Sequence, residues 1–447
     1  MRSDGEDTIA AEATAGGRAA IAVVRVSGPA AFAIAKRLVA PWPEAHRQAM
    51  LCTVRHGSGD VLDRALVTTF GAPASFTGED VVEISTHGGA VVPTLVLAAL
   101  VGWGARVALP GEFTRRAVLN GKLDLVQAEA IGDLIDSTSR AMQQMAIAQL
   151  DGGLSRRIEE LRDRVIGLES LIAYDIDFPE EDDGPIPRSR VTAATSAVVA
   201  SLNDLLATAA TGELVRNGAV VVIAGAPNAG KSSLFNAMLG RARAIVTEVP
   251  GTTRDAIEAV LDIGPWPIRL VDTAGLRETA DVVERLGIEV ATRYLASADV
   301  VLACGDSVES VLRTVEVVAA LTNAPVIPVR TKADITPITS DVGAGVSATS
   351  GQGVRELLDA VGEMISERYG GVPRDAPILT RERQRFCVEQ AHREMVAFAA
   401  AIDDGGLPVS VAAVHLRSAA DALADVTGTI DVEDVLDRLF RTFCVGK

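Results

Sequence analysis

Val220-Val221-Val222-Ile223-Ala224-Gly225-Ala226-Pro227-Asn228-Ala229-Gly230-Lys231-Ser232 is the stretch on which the fold turns. An apolar run of strand length leads into G-x-x-x-x-G-K-S, and a helix-like run from Ser233 to Leu239 follows. Backbone N–H groups of such a loop wrap phosphate oxygens at a strand-to-helix junction. Lys231 would meet the outer phosphates as a point charge, and the Ser232 hydroxyl would complete a Mg²⁺ shell. A glycine turn between strand and helix explains the loop alone, but not the partner motifs further along the chain.

A phosphate loop does not choose between ATP and GTP. The choice comes from Thr331-Lys332-Ala333-Asp334, placed behind the apolar strand Val326 to Val329. It resembles the N-K-x-D signature of small GTPases, whose carboxylate accepts from guanine N1–H and the exocyclic amine. Adenine offers no such pair, so Asp334 would go unmatched against ATP. Threonine in the first position keeps a hydroxyl but lacks the amide, which predicts weaker affinity with guanine choice retained. Ser347-Ala348-Thr349 falls where GTPases set a backbone N–H against guanine O6. Asp272-Thr273-Ala274-Gly275 ends the strand Ile268 to Val271 and supplies the Mg²⁺-side carboxylate and the γ-phosphate glycine. Leu276 stands where Ras-type enzymes carry a water-orienting Gln, so another group must position the water or turnover is poor. Pro250-Gly251-Thr252-Thr253-Arg254-Asp255 is the candidate first switch, with Thr253 as a second hydroxyl on Mg²⁺.

Composition limits the alternatives. The 447 residues carry a net charge of −17, so the bulk surface repels nucleic acid and an RNA substrate needs a local basic patch or a basic partner. Four cysteines (Cys52, Cys304, Cys387, Cys444) without C-x-x-C read as reduced thiols of a cytosolic protein. The histidines have no zinc-ligand spacing. No uncharged apolar run reaches the ~18 residues of a membrane span, and Asp4, Glu6 and Asp7 do not suit a signal peptide. His87-Gly88-Gly89 is read as a tight turn, since no G-x-S-x-G accompanies it.

Periodicity divides the chain. Residues 1–119 alternate strand-like runs, such as Ile21 to Val26, Leu66 to Phe70 and Val81 to Ile84, with helical runs such as Ala30 to Val39. That reads as an α/β unit. Over 120–215 apolar residues recur at three and four spacing (Leu125, Ala128, Ile131, Leu134, then Leu154, Ile158, Leu161, Val165), as in a helical bundle. The α/β core with the phosphate loop spans 216–370, and helical periodicity returns over 371–447. The sequence therefore predicts a Ras-like domain inserted into an α-helical bundle domain, behind an N-terminal α/β domain. Pro179 to Gly184 reads as a solvated acidic loop.

The chain resembles the tRNA modification GTPases of the MnmE or TrmE family. Asp7 to Thr14, Ser75-Phe76-Thr77-Gly78-Glu79-Asp80, Pro110 to Thr114, Asn120 to Ala130 and Phe443 to Lys447 carry the likeness, in order, beyond the GTPase core. The resemblance implies that a bound K⁺ replaces an arginine finger, held by the Asn228 side chain and main-chain oxygens of Thr247, Val249 and Thr252. It implies that Glu284 orients the water, although read bare Glu284 is a solvated helix-face carboxylate. The nucleotide contacts it carries over are Asn228 to Ser233, including Ala229, Gly230 and Ser233, then Thr247, Glu248, Val249 and Pro250 to Thr253. Asp272 to Gly275, Thr331 to Asp334 and Ser347 to Thr349 complete that set. It also implies a 5-formyltetrahydrofolate site in the N-terminal domain, with contacts at Arg25, Glu83, Lys122 and Lys447, and a functional thiol at Cys444. Read bare, Cys444 is equally a buried structural cysteine. The implied partners are a second copy of the chain, a flavoprotein resembling MnmG (GidA) in a heterotetramer, and tRNA carrying a wobble uridine. A passive GTP switch and a folate-binding scaffold with a vestigial GTPase remain as rivals.

Overall fold

A computed structural model of the chain describes residues 7–177, 187–241, 243–245, 257–263, 266–272, 293–335, 342–371, 377–404 and 409–428, with Phe443 and Gly446. It divides into two units, Met1–Gly132 with Ala424–Lys447, and Asp133–Leu423.

In the first unit, alternation along the chain builds a seven-stranded sheet. Its strands are β1 (Ile9–Glu12), β2 (Ile21–Ser27), β3 (Val39–Ala40), β4 (Met50–Arg55), β5 (Val61–Phe70), β6 (Val81–His87) and β7 (Arg106–Val107). They lie in the order β3-β4-β5-β6-β2-β1-β7, antiparallel except for β1 beside β7. Val24 and Val26 of β2 turn to one face and are buried with α1 (Ala31–Ala35) and α2 (Val92–Gly102). Each such aliphatic side chain contributes about 1.5–3 kcal/mol by leaving water. The opposite face presents Arg25 and Ser27, and α3 (Glu112–Leu119) sets Phe113 against it.

Two local expectations change. Helix α1 ends at Ala35 rather than running to Val39, and Val39 pairs with Val54 as an edge strand. Ile9-Ala10-Ala11-Glu12 carried no strand signal, because alanine is a poor strand former. It is a strand because β2 and β7 supply hydrogen-bond partners on both its sides.

The second unit combines helices with a second seven-stranded sheet. Its first helices are α4 (Leu125–Ile135), inside which the first unit ends, α5 (Arg140–Leu150), α6 (Gly153–Asp177), α7 (Arg188–Ala207) and α8 (Ala209–Asn217). Next come β8 (Ala219–Gly225), α9 (Lys231–Arg241), β9 (Arg243–Ile245), β10 (Ile257–Ile263), β11 (Trp266–Asp272) and β12 (Val300–Gly305). The rest are α10 (Val308–Ala319), β13 (Val326–Arg330), β14 (Ala344–Gly345), α11 (Val354–Tyr369), α12 (Glu382–Asp404) and α13 (Val409–Thr427). The strand order is β14-β13-β12-β8-β11-β10-β9. Strands β14 to β11 are parallel, and β10 and β9 add an antiparallel edge.

This is the Ras-like doubly wound arrangement that the sequence predicts. Strand β8 is buried on both faces, Val221 and Ile223 in one core and Val220, Val222 and Ala224 in the other. A central parallel strand therefore reads as an unbroken apolar run. Strand β8 lies between β11 and β12, and the chain after β8 builds the β11 side of the sheet first and the β12 side afterwards. The carboxyl end of β8 is thus a topological switch point, where open α/β sheets bind ligands.

Helices flank the sheet unit in sequence on both sides, as an insertion requires. The stretch 188–217 is long and apolar enough to cross a membrane by length and composition. Val191, Val198, Leu202 and Leu205 recur at helical spacing and are buried, and α7 packs on α6 and α12, so it is a bundle helix. Asp133 Oδ1 accepts from Arg216 Nε (3.2 Å) just before β8, and from Arg381 Nη2 (2.7 Å) just before α12. One carboxylate thus clips together the chain's entry to the sheet and its exit.

Candidate functional site

Loop 225–232 leaves β8 at the switch point. Gly225 must be glycine, because a Cβ there would collide with the Cys304 carbonyl at the end of β12. Asn228 takes a left-handed conformation at φ 62° and is exposed at the loop's crest. Lys231 is buried, and its Nζ donates to the loop's own carbonyls at Gly225 (3.0 Å) and Ala226 (2.9 Å). The ammonium is therefore drawn in over the loop, where phosphate oxygens can accept from it. Ser232 Oγ lies 2.7 Å from Oδ2 of Asp272, at the carboxyl end of the neighbouring strand β11. A hydroxyl and a carboxylate converging beside a phosphate loop form the oxygen donor set that suits Mg²⁺. Burial pushes the Cys304 thiol behind the loop up to about 12, so this cysteine packs as an unreactive apolar group.

The base-reading loops are fastened to the phosphate loop. Thr331 Oγ1 donates to the Ala229 carbonyl at 2.7 Å, and Thr331 N donates to the Gly305 carbonyl at 2.9 Å. The hydroxyl thus bridges the two loops, where the sequence had suggested a deficit from the missing amide. Ala333 N donates to the Val346 carbonyl (3.1 Å), which ties this motif to the segment carrying Ser347, Ala348 and Thr349. Ser347 is fully buried, and its Oγ accepts from Ser350 N at 3.1 Å. Asp334 is exposed, while Lys332 Nζ pairs with Asp306 Oδ2 at 3.2 Å. The structure therefore gathers Asn228 to Ser233, Asp272, Thr331 to Asp334 and Ser347 to Thr349 at one end of the sheet. Thr247 to Thr253, Thr273 to Gly275 and Glu284 lie outside the described residues.

A second constellation sits on the first unit's sheet. Arg25 and Glu83 are directly opposed on β2 and β6, with Arg25 Nη2 2.8 Å from Glu83 Oε1. The Arg25 guanidinium is flanked by Phe76 and Phe113, at 5.7 and 5.6 Å from their ring centroids. Arg25 Nη1 also donates to the Gly446 carbonyl at 3.3 Å, which brings the chain's end to this site. Gly446 has φ +100° and no room for a side chain, since a Cβ would collide with the Glu12 carbonyl. Lys122 Nζ donates to the Pro73 carbonyl (3.2 Å) and its stem lies along Gly78, in the loop that carries Phe76. Cys444 and Lys447 lie outside the described residues.

Sequence reading missed the floor of this site. Arg116 is 5% exposed and reaches Asp7 Oδ1 (2.5 Å), Glu79 Oε1 (3.1 Å) and Glu112 Oε1 (3.3 Å). Arg106 adds Nη2 to Glu112 Oε1 (2.6 Å) and Nε to Asp7 Oδ2 (2.8 Å). Burial opposes ionisation of Asp7 and Glu112, but hydrogen bonds led by Arg106 outweigh it and hold both below the usual carboxylate range. Glu79 also accepts from Ser27 Oγ at 2.6 Å, next but one to Arg25 on β2. The one local hint was the four-residue spacing of Glu112 and Arg116, a helical neighbour pair.

Comparison with known proteins adds an independent line. Residues 8–122 match the family model of the GTP-binding protein TrmE N-terminus, and residues 125–444 match that of the MnmE helical domain. The tRNA modification GTPase MnmE of Methylorubrum populi is 43% identical over 454 residues, covering 99% of this chain and 98% of that protein. The protein of the same name from Akkermansia muciniphila is 41% identical over 451 residues, covering 100% of both. Among solved structures, the G domain of the T. maritima FeoB iron transporter matches 34% of this chain and 98% of its own length, at 28% identity and a TM-score of 0.26.

Proposed function

Because this chain belongs to the MnmE family of tRNA modification GTPases, we propose that it hydrolyses GTP with K⁺ assistance while acting on the wobble uridine of certain tRNAs. With a flavin-dependent partner resembling MnmG, it would add a carboxymethylaminomethyl group at C5 of uridine 34. Four parts share the work, an N-terminal dimerisation and folate domain (1–119), two helical halves (120–215 and 371–447) and the GTPase domain (216–370). The working form is a homodimer in the cytosol, where tRNA and reduced thiols both occur.

The observation that carries the hydrolase reading is the phosphate loop with Lys231 drawn over it, Ser232 against Asp272, and Asp334 tethered through Thr331. Lys231 offsets negative charge on the outer phosphates, and loop N–H groups fix their orientation. Ser232 and Asp272 would hold Mg²⁺, which neutralises charge that develops on the phosphate oxygens. Asp334 accepts from guanine and rejects adenine. Asn228, exposed on the crest, would offer its side-chain oxygen to a monovalent cation. Glu284 is assigned the water, since Leu276 has no polar atom for the task.

At the second site, the donor set suits a flat, hydrogen-bonding heterocycle with an anionic tail. Glu83 accepts from ring N–H groups, Phe76 offers a face for stacking, and Arg25 and Lys122 can pair with carboxylates. Reduced folate has that chemistry and would supply a one-carbon unit when bound. Cys444 and Lys447 neighbour Gly446 in sequence, and Gly446 is hydrogen-bonded to Arg25.

The deciding experiment measures GTP turnover in K⁺ and in Na⁺. The wild-type chain is expected to be much faster in K⁺, and Asn228→Ala to abolish the difference. Equal rates in both salts would remove the cation mechanism and restore the passive-switch reading. Glu284→Ala should keep nucleotide affinity while lowering turnover, as expected when only transition-state positioning is lost.

A further inference from the structure

The chain is acidic overall at −17, yet one surface of the first unit departs from that average. Between 29 and 59 the sequence carries Lys36, Arg37, Arg47 and Arg55 against the lone carboxylate Glu44, with Asp60 just beyond. Lys36 and Arg37 emerge, exposed, where α1 ends. Arg55 N donates to the Leu38 carbonyl at 2.8 Å, so the pairing of β3 with β4 brings Arg55 beside them. Arg47 stands before the other end of β4, where its N donates to the Thr69 carbonyl and its Nη2 to the Ala74 carbonyl, each at 2.8 Å.

Aromatic rings are interleaved with these cations. Lys36 Nζ lies 5.2 Å from the Trp42 ring centroid, and Arg37 Cζ lies 4.7 Å from that of Trp103. Phe32 meets Trp42 edge-on at 5.9 Å and stacks on His46 at 5.5 Å. Trp103 lies over Gly57 and stays 41% exposed. Some cations elsewhere carry a carboxylate partner, as Arg157 does with Glu160 and Arg313 with Glu309, while others bond a carbonyl or hydroxyl, as Arg156 does with Asp151 and Arg164 with Ser201. Among the described residues none of Lys36, Arg37, Arg47 and Arg55 pairs with a carboxylate. Asp60 is engaged in its own turn, accepting from Ser58 Oγ at 2.6 Å.

We propose that this surface, Lys36, Arg37, Arg47 and Arg55 with Trp42 and Trp103, is the face on which the tRNA substrate docks. The inference rests on the tRNA-modifying reading and adds to it the place where the RNA is gripped. Cations free of carboxylates meet phosphates and release condensed counterions. An exposed indole carrying a guanidinium offers a platform on which unpaired bases stack. An acidic protein surface would match the charges but would not use the rings. The contacts are backbone and stacking contacts, so the face confers affinity across tRNA sequences and leaves base choice to other parts.

The test uses the full-length chain and a fluorescein-labelled tRNA transcript, with anisotropy titrations at two salt concentrations. The triple variant Lys36→Gln, Arg37→Gln, Arg47→Gln should weaken binding about 10- to 100-fold and flatten the salt slope by about one per lost phosphate contact. Trp103→Ala should cost about tenfold through lost stacking. GTP turnover should be unchanged in both. Arg157→Gln with Arg313→Gln, which removes two paired cations elsewhere, should leave affinity within about twofold. The proposal is overturned if the triple variant binds like wild type, if the control pair loses as much, or if the wild-type chain alone has no affinity for tRNA. It is also overturned if the triple variant keeps tRNA affinity yet loses wobble modification, which would assign the face to a protein partner. The tRNA-modifying reading fails by a different result, namely that the wild-type chain restores no modified wobble uridine in a strain lacking the activity.

Discussion

The phosphate loop and the floor of the N-terminal site are both held by buried cations, but they are assembled in opposite ways. In the loop, Gly225 to Ser232 are consecutive, and Lys231 bonds carbonyls only five and six residues away. In the floor, Asp7, Glu79 and Glu112 come from widely separated stretches and meet on Arg116. A local motif keeps its geometry as long as one strand and one helix form. A dispersed cluster exists only once the whole unit is folded, and it then reports on the integrity of that unit. The two should therefore fail differently when their cations are removed.

The largest expected effect is on the floor. Arg116→Met leaves three carboxylates facing one another with only Arg106 to balance them, a loss of about 3–5 kcal/mol for a broken buried pair. Thermal unfolding of the full-length chain should show the first unit melting earlier, with GTP turnover close to wild type. If turnover falls in step with stability, the two regions are not separable in the way their construction suggests.

Next in size is the loop's cation. Lys231→Ala should lower GTP turnover about 10²- to 10³-fold, the usual cost of removing one donor to a developing charge. Its melting profile should barely move. The pair of variants thus crosses over, one damaging stability and the other damaging chemistry.

A smaller effect sharpens the local side of the comparison. Thr331→Val removes the hydroxyl that reaches the Ala229 carbonyl. One hydrogen bond of this kind is worth about 1 kcal/mol, which is roughly fivefold in affinity for GDP or GTP by calorimetry. Thr331→Ser should restore most of it. If valine binds as well as threonine, the bridge between the loops is incidental.

The mildest test is pH. The folded pKa values of Asp7 and Glu112 are depressed, so their contribution is full above the unfolded values of about 4 and is lost as pH falls through the lower folded values. Stability of the first unit should be flat on this account between about pH 7 and 5 and decline below about 4. Arg116→Met should flatten the acid limb. An unchanged acid limb in that variant would mean that Arg106 alone sets both carboxylates.

The sequence by itself determined the nucleotide chemistry, because phosphate binding needs glycines, a lysine and a hydroxyl at fixed short spacing. It also determined the α/β class of the core, since β8 reads as an unbroken apolar run only when both its faces are covered. The helical bundle was legible from three and four spacing, as at Leu154, Ile158 and Leu161. Tertiary structure alone decided that alanine-rich Ile9–Glu12 is a strand, because pairing on both sides overrides weak propensity. It alone decided that Thr331 bridges two loops, and that Asp133 clips entry to exit, since both contacts join residues far apart in sequence. It alone gathered three separated acidic motifs around Arg116. Such contacts leave no periodic trace, because their spacing along the chain is set by the folds of loops and not by the repeat of a helix or strand.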